Sequence, residues 1–192
     1  MFTCKIDETT ELGLLELHHA QQFYNLVSAN HSHISDWMFW LNEDYSIEDA
    51  KHHIQKALKK YSENDGLEVG IWLRGELAGC VKFNYIDWKH KSTELGYWLG
   101  AAFQGQGLIT KACGKLIDYA FDELGLNRVE MRCIDKNKKS RAIPERLGFK
   151  QEGVIRQARC LKDRYVDLIV YGLLASEWKL NNGHKTQPSR HR

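Results

Sequence analysis

A glycine-rich turn between a strand-like segment and a strongly amphipathic helix constrains this 192-residue chain more than any other feature does. Residues 93–100 read as a strand, and residues 108–124 carry apolar side chains at steps of three and four, which predicts a helix. Gln104-Gly105-Gln106-Gly107 stands between them. Backbone N–H groups in such a turn can face an anion at the positive end of the following helix. The turn therefore indicates phosphate binding or, alternatively, a tight turn without a ligand.

The rest of the chain alternates between strand-like segments and segments with apolar residues at helical spacing, which predicts an α/β domain with a mixed sheet. A Ser46–Asp49 capping pair opens one helix, and a short helix from near Ser140 to Gly148 has Pro144 in its first turn. We expect one domain over residues 1–179 and a flexible polar tail over 180–192. Strands are predicted at 12–17, 67–73, 77–85, 93–100, 128–134, 149–156 and 165–174, and the remaining helix at 20–29.

Composition excludes several classes of protein. With 27 basic and 25 acidic residues the formal net charge is +2, too small for a nonspecific nucleic-acid binder. Five cysteines without a C-x-x-C pair favour reduced thiols in a cytosol. No apolar run reaches the length of a signal peptide or of a membrane span, about 18 residues. The histidine pairs lack the carboxylates and spacing of a metal site, so we predict no metal.

The glycine turn fits two common phosphate motifs poorly. A P-loop needs Gly-Lys-Ser/Thr, but Leu108 follows Gly107. A dinucleotide fingerprint needs a third glycine where Thr110 stands, although Asp135 follows the next strand as a ribose-binding acid would. Dinucleotide binding stays open as the weaker alternative.

A second cluster gives the turn a more specific interpretation. Asn137-x-x-Ser140 leads to Leu147-Gly148-Phe149, and together with the glycine turn this resembles the GNAT superfamily of acyl-CoA-dependent N-acyltransferases. Within it, Gly96-Tyr97-Trp98-Leu99, residues 152–156 and Tyr165-x-Asp167 resemble the RimJ/RimL branch, which acetylates N-terminal amines of ribosomal proteins. The resemblance covers roughly residues 10 to 178.

The resemblance implies a fold, an activity and partners. The fold would be a mixed, mostly antiparallel sheet of about six to seven strands flanked by helices. The activity would be direct acetyl transfer from acetyl-CoA to an N-terminal α-amine of a ribosomal protein, in a ternary complex. A cytoplasmic homodimer without nucleic-acid or membrane binding is expected. Acetylation of a small amine (a polyamine, amino sugar or amino-acid derivative) and a non-catalytic acyl-CoA sensor are the alternatives.

Cofactor-binding residues follow from the two motifs. The turn and first helical residues would hold the pyrophosphate, a strand residue would pair with the pantetheine amides, and the later helix would hold the pantetheine arm and nucleotide phosphate. The residues are Leu99, Gln104, Gly105, Gln106, Gly107, Leu108, Ile109, Thr110, Asn137, Ser140 and Arg141.

Acetyl transfer to an amine needs a base and a group that assists the leaving thiolate. Glu94, at the start of its strand, is the predicted base; a solvated strand-edge glutamate is the alternative. Ser140 is the predicted proton donor, with helix capping as its alternative role. Pro144 stands where many family members carry a tyrosine acid. Trp37, Trp40 and Tyr97 are predicted to line the acceptor site, although core packing is the alternative for the tryptophans.

Overall fold

One eight-stranded sheet organises the chain. A computed structural model describes residues 3–38, 41, 43–161 and 163–182. The strands are β1 Thr3–Lys5, β2 Thr10–Leu14, β3 Leu67–Leu73, β4 Glu76–Asp87, β5 Ser92–Leu99, β6 Arg128–Ile134, β7 Lys150–Leu161 and β8 Arg164–Leu174. Their order across the sheet is β1-β2-β3-β4-β5-β6-β8-β7. Neighbours are antiparallel except β5 and β6, which are parallel.

Helices cover both faces of the sheet. They are α1 Ala20–Ala29, α2 His31–Ser35, α3 Ile47–Ser62, α4 Leu108–Asp118, α5 Lys138–Arg146 and α6 Ala175–Asn182, with a π-helical turn over Tyr119–Glu123 extending α4. The predicted capping box opens α3, where the Ser46 side chain accepts a hydrogen bond from the Asp49 N–H. This cap fixes the start of a helix that packs on α1.

Each face of the sheet buries its own apolar cluster. On one face Phe23 of α1 and Ile54 of α3 pack with Trp98 of β5. On the other, Cys113 and Ile117 of α4 pack in a cluster that includes strands β3 to β6 and β8. Because side chains alternate along a strand, neighbouring residues of β5 point to opposite faces.

The predicted α/β class and mixed sheet are confirmed, with local differences. The sheet has an eighth strand, β1, which is only three exposed residues long and therefore carries no period-two pattern. The first strand lies earlier in the chain than predicted: the prediction was 12–17, whereas β2 spans Thr10–Leu14. A 3₁₀ turn with its own capping box follows it. Strand β7 continues past the predicted end at residue 156 through a bulge at positive-φ Gln157.

The short helix differs most from its prediction. It begins at Lys138, capped by Asn137, so Pro144 lies inside the helix rather than in its first turn. The prediction was wrong because it assumed that proline is tolerated only at the first turn. Here the Tyr97 hydroxyl donates to the Ser140 carbonyl in place of the N–H that Pro144 lacks.

The ends and cysteines of the chain complete the description. The helix α6 extends into the segment predicted as a tail, and residues 183–192 lie outside the described ranges, so the domain boundary at 179 stays a prediction. All five cysteines are described and all are free thiols. In the described ranges, no helix combines the length and apolar character needed to cross a membrane.

Candidate active site

The parallel strands β5 and β6 separate and leave a gap in the middle of the sheet. They pair only at Ser92 with Arg128, Thr93 with Val129 and Glu94 with Glu130. Beyond Glu94, β5 pairs on its other side with β4 as far as Leu99, while its edge toward β6 is no longer in the ladder. The unpaired edge leaves strand N–H and C=O groups facing the gap, where an extended ligand can pair with them.

A cleft of about 1270 Å³ occupies this gap. Residues 94–99 of β5 and 131–134 of β6 form its walls, and the glycine turn, the start of α5 and the end of α2 complete them. Of the predicted site residues, the cleft is lined by Trp37, Glu94, Tyr97, Leu99, Gln104, Gly105, Gly107, Leu108, Ile109, Thr110, Asn137 and Ser140.

The glycine end of the cleft comprises Gly105, Gly107 and the first turn of α4. Both glycines are left-handed, with φ of 79° and 74°, and a Cβ at either would meet nothing within 4 Å. Gly107 is the N-cap of α4, and no side chain caps the helix. The first N–H groups of α4 therefore remain available at its positive end, a geometry that suits a phosphate.

Cationic side chains from α5 and the segment before it line the cleft: Lys136, Lys138, Lys139 and Arg146. Lys139 Nζ donates to Gln104 Oε1 at 2.9 Å, and Arg146 Nη1 donates to Thr110 Oγ1 at 3.1 Å. Gln104 Nε2 also lies 2.6 Å from His33 Nε2 of α2. These contacts join α5 to the glycine turn and place positive charge beside the uncapped helix end.

Two predicted cofactor residues lie elsewhere. Arg141 turns away from the cleft: its Nε donates to Tyr171 Oη at 3.0 Å and its Nη1 to the Asp135 carbonyl at 3.2 Å. One residue of helix is about 100° of rotation, so the residue after Ser140 faces strand β8 instead. Gln106 is exposed between the two glycines and does not line the cleft.

Ser140 stands at the start of α5 beside two groups from the sheet. Asn137 accepts a hydrogen bond from the Ser140 N–H at 3.1 Å, so Asn137 caps the helix and the alternative capping role of Ser140 is wrong. The Ser140 hydroxyl lies 3.3 Å from Tyr97 Oη and 3.4 Å from Cys133 Sγ. Burial raises the pKa of both neighbours, well above the usual range for Tyr97. Both are therefore neutral near pH 7.

The carboxylate end of the cleft comprises Asn84, Glu94 and Arg132. Asn84 Nδ2 donates to Glu94 Oε1 at 2.7 Å, and Arg132 Nε lies 3.4 Å from Glu94 Oε2 and 2.6 Å from Glu130 Oε1. The Glu94 side chain is only 18% exposed. The alternative of a solvated strand-edge glutamate is therefore wrong, since Glu94 is mostly buried and held in one orientation.

Trp37 and several apolar side chains form another part of the cleft wall. Trp37 packs with Ile134 of β6 and with Leu161 and Leu168 of the β7–β8 hairpin, and it also lines the cleft. Trp37 therefore contributes both to an apolar cluster and to the wall of the cleft. Trp40 lies outside the described residues.

Several cleft residues had no counterpart in the sequence predictions: Lys82, Asn84, Arg132, Cys133 and Arg159. Lys82 and Asn84 interrupt the apolar run of a central strand, and that interruption was the signal available for them. Across the ranges described, no group of three or more His, Cys, Asp or Glu side chains could hold a metal ion.

Comparison with known proteins gives the family. Residues 11–150 match the model of the acetyltransferase (GNAT) domain. The chain is 37% identical to YdaF of Bacillus subtilis (strain 168), provisionally named a ribosomal N-acetyltransferase, over 93% of this chain and 98% of the relative. It is 31% identical to the ribosomal-protein-serine acetyltransferase of Escherichia coli (strain K12), over 88% and 94% of the two chains.

A solved structure supports the same assignment. The microcin C7 self-immunity acetyltransferase MccE, solved with acetyl-CoA and AMP, superposes with a TM-score of 0.85 at 33% identity, covering 88% of this chain and 94% of the other. Its ligand agrees with the open sheet gap and the uncapped glycine end. The chain therefore belongs to the GNAT family of acetyl-CoA-dependent N-acetyltransferases.

Proposed function

We propose that this enzyme acetylates the N-terminal α-amine of a protein, with a ribosomal protein as the acceptor. The observation that carries the proposal is that one cleft holds both ends of the reaction. The uncapped start of α4 lies at the glycine end, and the buried, oriented Glu94 lies at the carboxylate end. The names of the two relatives, both given for ribosomal acetylation, support the acceptor class.

The donor fits the glycine end. The N–H groups of Leu108, Ile109 and Thr110 would hold the pyrophosphate, with Lys139 and Arg146 beside it. The free edge of β5 up to Leu99 would pair with the pantetheine amides, and Asn137 lines that path. When bound, acetyl-CoA supplies an activated acetyl thioester. The protein's part is to align that thioester with the amine, and alignment alone contributes a large rate enhancement.

The base and the leaving-group donor lie on different elements. Glu94 would take the proton that the amine loses on attack, directly or through one water. The Ser140 hydroxyl would donate a hydrogen bond to the sulfur as the carbon–sulfur bond breaks, keeping its own proton, and the thiolate then takes a proton from solvent. Because both side chains line the one cleft, no covalent enzyme intermediate is needed.

The acid–base chemistry favours an α-amine. An α-amine has a pKa of about 7.7–8.0 and a lysine side chain one near 10.4, so at neutral pH the neutral fraction of the α-amine is on the order of several hundred-fold larger. A single carboxylate base, Glu94, is better matched to an α-amine than to a lysine side chain, because the α-amine loses its proton more easily. A ribosomal acceptor would also locate the enzyme in the cytoplasm. The homodimer and the absence of nucleic-acid binding stay predictions.

A small-molecule amine is the second candidate, since the structural relative MccE was solved with AMP. The test is a thiol-release screen with acetyl-CoA. The amines are ribosomal proteins, their N-terminal peptides, the same peptides with blocked N-termini, spermidine and an amino sugar. We expect the fastest release with free N-termini and only background with blocked ones. Release with the small amines alone would contradict the proposal, and binding of acetyl-CoA without release would indicate a sensor.

A further inference from the structure

Tyr97 and the backbone of α5 make a contact that the proposed mechanism does not yet use. Tyr97 Oη donates to the Ser140 carbonyl at 2.9 Å and lies 3.3 Å from the Ser140 hydroxyl. One phenol thus contacts both the main chain and the side chain of the residue beside the predicted leaving group. Tyr97 comes from β5, so the contact ties the start of α5 to the wall of the cleft.

Pro144 explains why that carbonyl accepts from a side chain. In an α-helix the carbonyl of residue i accepts from the N–H of residue i+4, and for Ser140 that residue is Pro144, which has no N–H. A carbonyl shielded from water that has no helical partner loses a hydrogen bond unless another donor supplies it, and Ser140 is half-buried. Tyr97 supplies one. The proline inside α5 and the tyrosine on β5 are therefore complementary.

The neighbourhood of the hydroxyl leaves few ways to orient it. Besides Tyr97 Oη, the hydroxyl contacts Cys133 Sγ at 3.4 Å, a weak acceptor on the adjacent strand β6. The phenol's proton is engaged by the carbonyl, so without the donor its oxygen accepts from Ser140. The single serine proton leaves this contact to reach the sulfur, while the Tyr97 bond to the Ser140 carbonyl keeps the residue in place. The contact between Tyr97 and Ser140 fixes the position of the Ser140 oxygen relative to β5, the strand along which acetyl-CoA would lie.

We propose that Tyr97 is a positioning residue for Ser140, holding the serine hydroxyl at the sulfur of the departing coenzyme A. The direct acceptor contact predicted for Tyr97 from the sequence stays a prediction, and the test below distinguishes the two roles. It rests on the proposed role of Ser140 in the transfer step. Displacement of a reacting group by about 1 Å can lower a rate by about 10²-fold, so a contact made only to Ser140 can affect turnover strongly.

The test is a double-mutant cycle with Tyr97→Phe and Ser140→Ala, using acetyl-CoA and the fastest acceptor of the thiol-release screen. We expect Tyr97→Phe to lower kcat about 10-fold with the KM of both substrates nearly unchanged. In the Ser140→Ala background the same change should lower kcat by less than about twofold, because residues that act as one unit are not additive.

Tyr171→Phe is the matched control. The Tyr171 hydroxyl also contacts α5, accepting from Arg141 and donating to Glu145 at 3.1 Å, but it does not line the cleft. It should lower the melting temperature about as much as Tyr97→Phe does and leave kcat unchanged. If Tyr97→Phe acted only through stability, the two variants would behave alike.

Each remaining outcome overturns a different statement. Additive effects of the two substitutions, or an unchanged kcat in Tyr97→Phe, would remove Tyr97 from the mechanism while the wild-type enzyme stays active. A rise confined to the acceptor KM would restore the direct acceptor contact instead. A wild-type chain that transfers acetyl to no amine would overturn the proposed function, and this inference with it.

Discussion

The glycine end and the carboxylate end of the cleft are built in different ways. At the glycine end the binding groups are backbone N–H groups, fixed by the left-handed Gly105 and Gly107. At the carboxylate end they are side chains from three strands, Asn84, Glu94 and Arg132. A backbone site depends on a few consecutive residues, whereas a side-chain site depends on the register of distant strands. One substitution can therefore abolish binding at the first end, but at the second it changes mainly the chemistry.

The largest effect is expected from Gly107→Val. A β-branched residue at this φ is strained, and its side chain would extend into the open space before α4. We expect acetyl-CoA affinity to fall more than about 100-fold. The ligand-induced rise in stability, about 2.7 kcal/mol at 100 times the wild-type Kd, should then largely vanish in a thermal-shift titration.

Gly75→Val is the control for the backbone strain that valine causes at a positive φ. Gly75 has φ of 83° and equally open surroundings, but it lies in the turn between β3 and β4, away from the cleft. It should lose stability as Gly107→Val does and keep the full acetyl-CoA shift. A Gly107→Val protein that keeps the shift would place the phosphate site elsewhere, and a shift given by NAD instead would revive the dinucleotide alternative.

Glu94→Gln should change chemistry rather than binding. The amide keeps the size of the side chain and removes the base. Turnover at pH 7 should therefore fall about 10²-fold and recover in part above about pH 9, where the α-amine is neutral by itself. Steady-state rates from pH 6 to 10 at saturating acetyl-CoA measure this.

Glu130→Gln separates the base from the ion pair. Glu130 shares Arg132 with Glu94 but does not line the cleft, so its variant should keep the wild-type pH profile and turnover within about threefold. A Glu94→Gln enzyme with the wild-type profile would remove Glu94 as the base.

Lys139→Met tests the charges that accompany the backbone site. Lys139 is exposed, and an exposed cation contributes up to about 1 kcal/mol. Acetyl-CoA should therefore bind about fivefold more weakly at most, and the difference should shrink in high salt. Lys115→Met, at the far end of α4, removes the same charge outside the cleft and should leave affinity unchanged. Equal weakening in both variants would show a general charge effect. Calorimetric titration at two salt concentrations distinguishes the outcomes.

The smallest change in activity is expected from Glu68→Gln, on β3. Burial would raise the pKa of Glu68, but the hydrogen bond to His53 at 2.9 Å and the charge of Lys82 outweigh it and lower that pKa. A lowered pKa means that ionised Glu68 stabilises the fold above its ordinary pKa and that this stabilisation is lost as the pH falls through the lowered value. The melting temperature of the variant should lie below that of wild type at pH 7, and the difference should narrow as the pH falls below the ordinary carboxyl range. Turnover should stay within about twofold of wild type. A difference in melting temperature that stays constant across this pH range would contradict the ionised state assigned to Glu68.

The same difference between the two ends explains what the sequence could predict. Gly105 and Gly107 precede a helix with strong periodicity, so turn, helix and phosphate chemistry were all contained in one short stretch. The pairing of Glu94 with Asn84 and Arg132 depends on the register of β4, β5 and β6, which no local pattern encodes. The Tyr97 contact depends in addition on a proline placed inside α5, against its usual preference. Arg141 contacts Tyr171 of β8, and this contact too depends on how the helix α5 packs on a distant strand.

The most direct test of the central claim is the site of acetylation on a single peptide. The peptide carries a free N-terminal serine and one internal lysine, and tandem mass spectrometry locates the acetyl group at early times with acetyl-CoA near its wild-type Kd at pH 7. The account predicts acetylation of the α-amine, no product from the N-terminally blocked peptide, and loss of the reaction in Gly107→Val but not in Gly75→Val. Acetylation of the lysine, or an equal rate with the blocked peptide, would contradict it.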